Sequence, residues 1–168
     1  ESSLRSVVIQ IGGKNPKDPV AVDDLDPRPD AVKLWDVMTY FAPGSYPGSH
    51  YSFGWAMVYF CMNYENDSCE RVYEPVYKDF MRSYTDSGEE KNVGKRFKKY
   101  FVEEAELPGV ESYEDLEERW KEWVLNLSRI EFGGPEQADV LIARAKKQLE
   151  FEKPEYAVDS LRWALRKR

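Results

Sequence analysis

The chain has 168 residues, of which 33% are charged and 42% are hydrophobic, and its formal net charge is -7. This length accommodates one ordinary domain with a small appendage, and the hydrophobic content is enough for a globular core. An acidic chain repels phosphate backbones, so the composition argues against a nucleic-acid partner. The longest apolar run, residues 51–62, is shorter than the roughly 20 residues of a bilayer-spanning helix, so we expect no membrane span.

The first predicted element is a short β strand at residues 7–11. Four of these five residues are β-branched, and a glycine pair follows them. A connector rich in Pro and Asp, residues 13–30, leads to a predicted helix from Asp30, as its N-cap, to Phe41. The apolar residues of that helix recur at helical spacing, which indicates one inward face.

The next predicted helix, residues 51–64, is apolar and aromatic on every side, with Ser49 as its expected cap. A helix that is apolar all round is typically buried, so we expect it to be the central helix. A one-faced helix over residues 72–84 and a shorter helix over residues 93–101 come next. Ser112 and Asp115 resemble a capping box that opens a further helix.

The break at residues 133–135 precedes a helix pair. Two antiparallel helices are predicted from its apolar and small residues, Ala138, Leu141, Ala145, Leu149, Tyr156, Ala157, Leu161, Ala164 and Leu165. The spacing of five of them resembles one tetratricopeptide unit, namely Leu141, Ala145, Ala157, Leu161 and Ala164. Such a unit needs neighbours to cover its faces. We therefore expect Leu161, Trp163 or Leu165 to pack on the preceding helix or to lie in a homodimer contact.

These patterns predict a mainly α fold, a helical bundle of six or seven helices with a small β element at the N-terminus. Two parts are expected, a helical subdomain at residues 1–132 and the tetratricopeptide-like hairpin at residues 133–168. Eight aromatic residues are predicted to be largely buried: Trp35, Trp55, Phe60, Tyr77, Phe80, Phe101, Trp120 and Trp123.

Little in the sequence points to catalysis. His50 is the only histidine, no HExxH motif is present, and zinc hydrolysis commonly takes two histidine ligands. We expect His50 to be a partly exposed first-turn residue, with substrate contact or pH sensing as the alternative. Cys61 and Cys69 are either ordinary buried thiols or a short-loop disulfide. We therefore predict no catalytic, cofactor-binding or metal-binding residue in this chain.

Five segments, taken in order, resemble a family of poorly characterised bacterial proteins with a gluzincin-like, zinc-peptidase-like domain, common in planctomycetes. The first two are the connector IGGKNPKDPVAV and the helix DAVKLWDVMTYF. The residues that match the later segments are Tyr51, Trp55, Ala56, Val58, Phe60, Phe97, Phe101, Leu116, Glu117, Trp120, Trp123 and Val124. In this family tetratricopeptide repeats often follow.

The resemblance implies that the zinc ligands and the general base precede this chain, because the family carries HExxH and a metal-binding Glu upstream of the matched segments. We therefore expect a non-catalytic helical support portion of a zinc-metallopeptidase-like protein, with zinc as a cofactor of the parent only. The expected partner is the missing N-terminal part or another protein. The alternative is a tetratricopeptide-like protein-interaction module. The compartment stays open, with a secreted or periplasmic location among the alternatives.

Overall fold

A computed structural model describes residues 2–40, 46–85, 92–105 and 107–168. In these ranges the chain is mainly helical, with eight α-helices. They are α1 (Ser2–Gln10), α2 (Leu34–Met38), α3 (Gly48–Asn63), α4 (Tyr73–Arg82), α5 (Val93–Lys98), α6 (Tyr113–Phe132), α7 (Gln137–Glu150) and α8 (Pro154–Lys167). A π-helical turn, Lys99–Glu103, extends α5. None of the helices in these ranges is long and apolar enough to cross a membrane.

The predicted N-terminal β element is wrong, because residues 7–10 belong to α1 and the described ranges contain no strand. Leu4, Val7, Val8 and Ile11 are buried, and their i, i+3, i+4, i+7 spacing is that of one helix face. The β-branched residues favour a strand, so the local sequence fits both structures. α1 packs on α3 and α6, and burial on both outweighs the weak helix propensity of valine and isoleucine. The turn after α1 requires Gly12, whose φ is +101°.

The helix predicted from Asp30 is much shorter than expected. α2 begins at Leu34 behind an extended Lys33, and the predicted end at Phe41 lies outside the described residues. Ser49 does not cap α3, which begins at Gly48 after Pro47, and its Oγ lies 3.2 Å from Nδ1 of His50 instead.

α3 contacts α1, α2, α4 and α6 and so occupies the centre of the bundle, as predicted. Its buried face consists of Phe53, Ala56, Met57, Phe60 and Cys61. The core also holds the predicted residues Phe80, Phe101 and Trp120. Tyr77 and Trp123 are only partly buried against it, and Trp35 is also only partly buried. Trp55 was predicted to be buried and is exposed, so α3 is covered on one face and not all round.

The predicted capping box is confirmed at the start of α6. The Ser112 hydroxyl accepts a hydrogen bond from the backbone N–H of Asp115 at 3.1 Å. The Asp115 carboxylate in turn accepts one from the backbone N–H of Ser112 at 2.8 Å. This reciprocal pair is a capping box, which satisfies two amides that the first helical turn leaves unpaired.

α7 and α8 form the predicted helical hairpin, but several inward residues differ from the prediction. Leu149, Leu161 and Leu165 are exposed, whereas Gln148 and Ser160 are buried and hydrogen-bonded to each other at 2.9 Å. The small residues Ala138, Ala145, Ala157 and Ala164 are buried as expected and line the contact. Of the three residues expected to pack on the body or in a dimer contact, Trp163 packs against the main core.

Candidate functional site

A groove of about 600 Å³ lies between the hairpin and the body of the bundle. We call it the hairpin groove. One wall consists of the end of α3, the loop after it and the second half of α6, and the other consists of α7 and α8. Its apolar floor includes Tyr59, Trp123 and Trp163, and its rim carries charged side chains of both signs. A concave surface with an apolar floor and a few converging polar groups is the usual form of a binding site.

Glu65 is the polar centre of this groove, with a side chain only 8% exposed. Its Oε1 accepts a hydrogen bond from Nη2 of Arg144 at 2.9 Å, and its Oε2 accepts one from Nε2 of Gln148 at 2.7 Å. Gln148 also accepts from Ser160, so the network joins the loop after α3 to both helices of the hairpin. Buried carboxylates are stable only when they are paired in this way.

Arg71 lies beside this network. Its Cζ sits 4.0 Å from the centroid of the Tyr156 ring, a cation–π distance, and its Nε lies 4.0 Å from Oε1 of Glu65. That separation is too long for a hydrogen bond. The buried Nε therefore has no hydrogen-bond partner among the residues that the structure describes. Arg71 is thus held by its cation–π contact and by the charge of Glu65, while its Nε–H donor is unsatisfied.

The two cysteines are free and buried. Burial raises the pKa of the Cys61 thiol. Cys69 lines the groove in a left-handed conformation with φ of +55°, and burial followed by the Glu65 carboxylate raises the pKa of its thiol. Thiols with a raised pKa are poor nucleophiles, so neither cysteine suits nucleophilic chemistry. Of the two alternatives left open by the sequence, the structure has the unpaired thiols.

A second surface runs along the uncovered face of α3. It consists of Tyr51, Trp55, Val58 and Tyr59, which are 65%, 41%, 40% and 37% exposed, and we call it the α3 stripe. The Trp55 and Tyr59 rings stack with centroids 5.2 Å apart. Tyr59 also meets Trp123 edge-on at 5.8 Å, so the stripe continues into the floor of the hairpin groove.

His50 lies half-buried in the first turn of α3, where the sequence places it. The rings of Tyr40 and Tyr46 meet its imidazole edge-on, with centroids 4.9 and 5.4 Å away. Within the described ranges no three His, Cys, Asp or Glu side chains are grouped so that they could hold a metal ion.

Another broad depression, of about 1030 Å³, lies between the Pro-rich connector and the first turns of α6. Most charged side chains around it, among them Arg28, Lys33, Glu111 and Glu118, are exposed, so water screens them. Burial raises the pKa of Tyr113, whose buried hydroxyl has no hydrogen-bond partner in the described residues. Among the described residues, no buried polar network like that of the hairpin groove lines this depression, so it is the weaker candidate.

The polar residues of the groove were not recognised in the sequence. Glu65 and Arg71 lie in a polar turn that resembles any solvated loop, and only tertiary contacts distinguish them. Gln148 gave a usable signal, because it follows Ala138, Leu141 and Ala145 at the i+3, i+4, i+3 spacing of the buried face. A polar residue at such a position indicates a buried hydrogen bond.

No family model, no curated protein and no solved structure matches this chain.

Proposed function

We propose that this chain is the non-catalytic helical support portion of a zinc-metallopeptidase-like protein, with no active site of its own. The α3 stripe is the observation that carries the proposal. Four large apolar side chains stand side by side on the exposed face of the central helix. A contiguous apolar patch in a chain that is one-third charged is typical of a surface that another protein segment covers.

The chemistry of the stripe restricts what can cover it. α3 contains no Asp, Glu, Lys or Arg, so the stripe can bind a partner through aromatic and apolar contacts but not through ion pairs. The fitting occupant is therefore an apolar helix or sheet face. The metal-binding helices implied by the resemblance are such an occupant, and in that arrangement α3 forms one wall of a cleft whose chemistry other residues supply.

The test compares this chain with the product of its whole gene. We introduce Val58→Cys on the stripe and Val140→Cys on α7 as a matched control, since these valines are 40% and 50% exposed. The native thiols are buried and label slowly. We expect a maleimide to label both introduced cysteines rapidly in this chain. In the whole product, labelling at position 58 should slow strongly while labelling at position 140 stays unchanged.

Equal labelling at position 58 in both proteins would refute the covered stripe. The upstream gene sequence gives a second check, since the proposal requires an HExxH motif there. Stoichiometric zinc recovered by elemental analysis from this chain alone would contradict the division of roles.

A second candidate function rests on α8. Val158, Leu161 and Leu165 form an exposed apolar line at i, i+3 and i+7, and they are 45%, 40% and 73% exposed. Stacked helical repeats bury such a face against the next repeat, so this line supports the tetratricopeptide-like interaction module or a homodimer. Sedimentation velocity should then detect self-association that Leu165→Glu abolishes and Val140→Glu, on α7, does not. A monomer at all concentrations would exclude the homodimer.

A further inference from the structure

We propose that the hairpin groove binds an extended protein segment that carries one carboxylate beside an apolar side chain, with Arg71 receiving the carboxylate. This site adjoins the α3 stripe at Tyr59, but Arg71 and the hydrogen-bond network of Glu65 lie outside the stripe. The argument rests on how Arg71 is held, on the charge of the groove and on its apolar floor.

Arg71 is prepared for an anion before any ligand arrives. Its Cζ lies over the Tyr156 ring, 4.0 Å from the centroid, and this cation–π contact holds the guanidinium at the groove. A fixed guanidinium presents a planar fork that matches the two oxygens of a carboxylate. Its buried Nε has no hydrogen-bond partner in the described residues, and a buried unsatisfied donor is unfavourable. The Arg71 side chain is 22% exposed, so a carboxylate in the groove meets the exposed part of the guanidinium and not the buried Nε.

The nearest carboxylate does not satisfy Arg71. Both oxygens of Glu65 already accept hydrogen bonds, one from Arg144 and one from Gln148. Nε of Arg71 lies 4.0 Å from Oε1 of Glu65. The two groups therefore attract each other electrostatically but form no hydrogen bond. Glu65 therefore positions Arg71 and Arg144 together, and one negative charge faces two guanidinium groups.

The groove is also more basic than the rest of the molecule. Its basic lining residues are Arg71, Arg144, Lys147, Arg162 and Arg166, and its acidic ones are Glu65, Asp67, Glu131 and Asp159. The whole chain has the opposite balance, with 31 acidic and 24 basic residues. A local basic excess favours a carboxylate, while the net charge of -7 disfavours a long acidic run. A single carboxylate fits both conditions.

The floor of the groove supplies the second part of the specificity. Tyr59, Trp123 and Trp163 line it, and rings of this kind bury large apolar areas. A volume of about 600 Å³ holds a few side chains and not a whole helix. The ligand is accordingly a short extended segment, with an apolar side chain on the rings and its carboxylate at Arg71.

The test uses the full chain and two fluorescein-labelled dodecapeptides, acetylated and amidated, with leucine-rich sequences that differ only in a central glutamate or glutamine. We expect fluorescence anisotropy to show binding of the glutamate peptide and about tenfold weaker binding of the glutamine peptide, the usual effect of one charge-assisted hydrogen bond. Arg71→Lys keeps the charge but loses the fork and the stack, and it should weaken the glutamate peptide about tenfold on the same grounds. Arg82→Lys, on the exposed face of α4, is the matched control and should bind as the original chain does.

A second measurement does not require the variant to fold. In the unmodified chain, the nitrogen-15 NMR signal of Arg71 Nε should shift on addition of the glutamate peptide and not of the glutamine peptide. Equal binding of both peptides, no binding at millimolar concentration, or an unmoved Arg71 signal would overturn the proposal. Displacement of the bound peptide by an equal concentration of inorganic phosphate would also overturn it, because the site would then be a simple anion site.

Discussion

Glu65 joins three parts of the molecule through one buried carboxylate. It accepts hydrogen bonds from α7, and Arg71 of its own loop stacks on Tyr156 of α8. We expect Glu65→Gln to lower the free energy of unfolding by about 2 kcal/mol, because charge-assisted hydrogen bonds to Arg144 and Gln148 are lost. The loss is limited because the Arg144 side chain is 35% exposed and water can replace part of the contact. Urea denaturation measures the difference.

Asp79→Asn is the matched control for this prediction. Asp79 also pairs with an arginine, at 2.7 Å, but both side chains are more than half exposed. Exposed pairs contribute little, so this change should stay within about 0.5 kcal/mol. Equal effects of the two substitutions would show that the Glu65 network does not stabilise the hairpin contact.

Asp115 gives the molecule a predictable response to acid. Hydrogen bonds from the backbone N–H groups of Glu111 and Ser112, together with the Ser112 side chain, lower its pKa below the ordinary value of 3.8. The charged form is therefore favoured in the folded state. Its stabilising contribution is complete above pH 3.8 and is lost as the pH falls through the lower pKa of the folded chain.

The corresponding variant is Asp115→Asn, which cannot lose a proton. We expect it to be less stable than the original chain at neutral pH, with the two unfolding free energies converging as the pH falls below 3.8. Thermal melting across an acid pH series measures this. Two parallel curves would contradict the assignment of the pKa shift to the capping box.

At the scale of an element, α3 shows why an apolar helix is not always enclosed. Its buried face, from Phe53 to Cys61, meets α1, α4 and α6, and the opposite face carries the α3 stripe. A helix sequence that is apolar on both faces predicts that both faces are buried against other protein segments. It does not predict whether this chain supplies the cover, and in the described residues the stripe is left exposed.

The hairpin of α7 and α8 is docked on the body by several kinds of contact. Trp163 packs on the main core, Arg144 bonds Glu65, and Lys167 donates a hydrogen bond to the backbone oxygen of Glu131. We expect deletion of residues 134–168 to lower the melting temperature of the remainder by about 5 °C or more, because it removes several contributions of about 1 kcal/mol each. Circular dichroism and light scattering on the truncated chain measure this.

The opposite outcome has a clear meaning. A well-folded, monomeric remainder with unchanged melting would show that the hairpin is an independent module. The buried Glu65 network would then contribute nothing to the stability of the body.

At the scale of the whole molecule, the apolar stripe and the high charge have opposite effects on solubility. The net charge of -7 keeps copies apart, while the α3 stripe favours binding of apolar molecules. We expect Trp55→Gln to reduce the fluorescence of bound anilinonaphthalenesulfonate without lowering the melting temperature. The control is Phe151→Gln, a residue of nearly the same exposure away from the stripe, at 43% against 41%. A fall in the melting temperature with Trp55→Gln would mean that Trp55 supports the core.

Local signals were predicted well wherever the deciding contacts are close in sequence. The capping box of Ser112 and Asp115 needs only residues three apart, and it is present. The central place of α3 followed from its composition, and the helical hairpin from small residues at regular spacing. Residues 7–11 were assigned wrongly, since β-branched residues that are also spaced as a helix face fit both structures until their neighbours are known.

The sequence by itself determined that this chain is a mainly helical bundle with an aromatic core, because periodicity and composition act locally and add up along each helix. Only the tertiary structure decided which face of α3 is exposed, which residues of the hairpin turn inward, and that Glu65, Arg71, Arg144 and Tyr156 meet in one groove. Glu65 and Arg144 are 79 residues apart, and their hydrogen bond exists only after the hairpin folds back on the body. Neither residue's local sequence contains that information, so the groove could be found only in the folded chain.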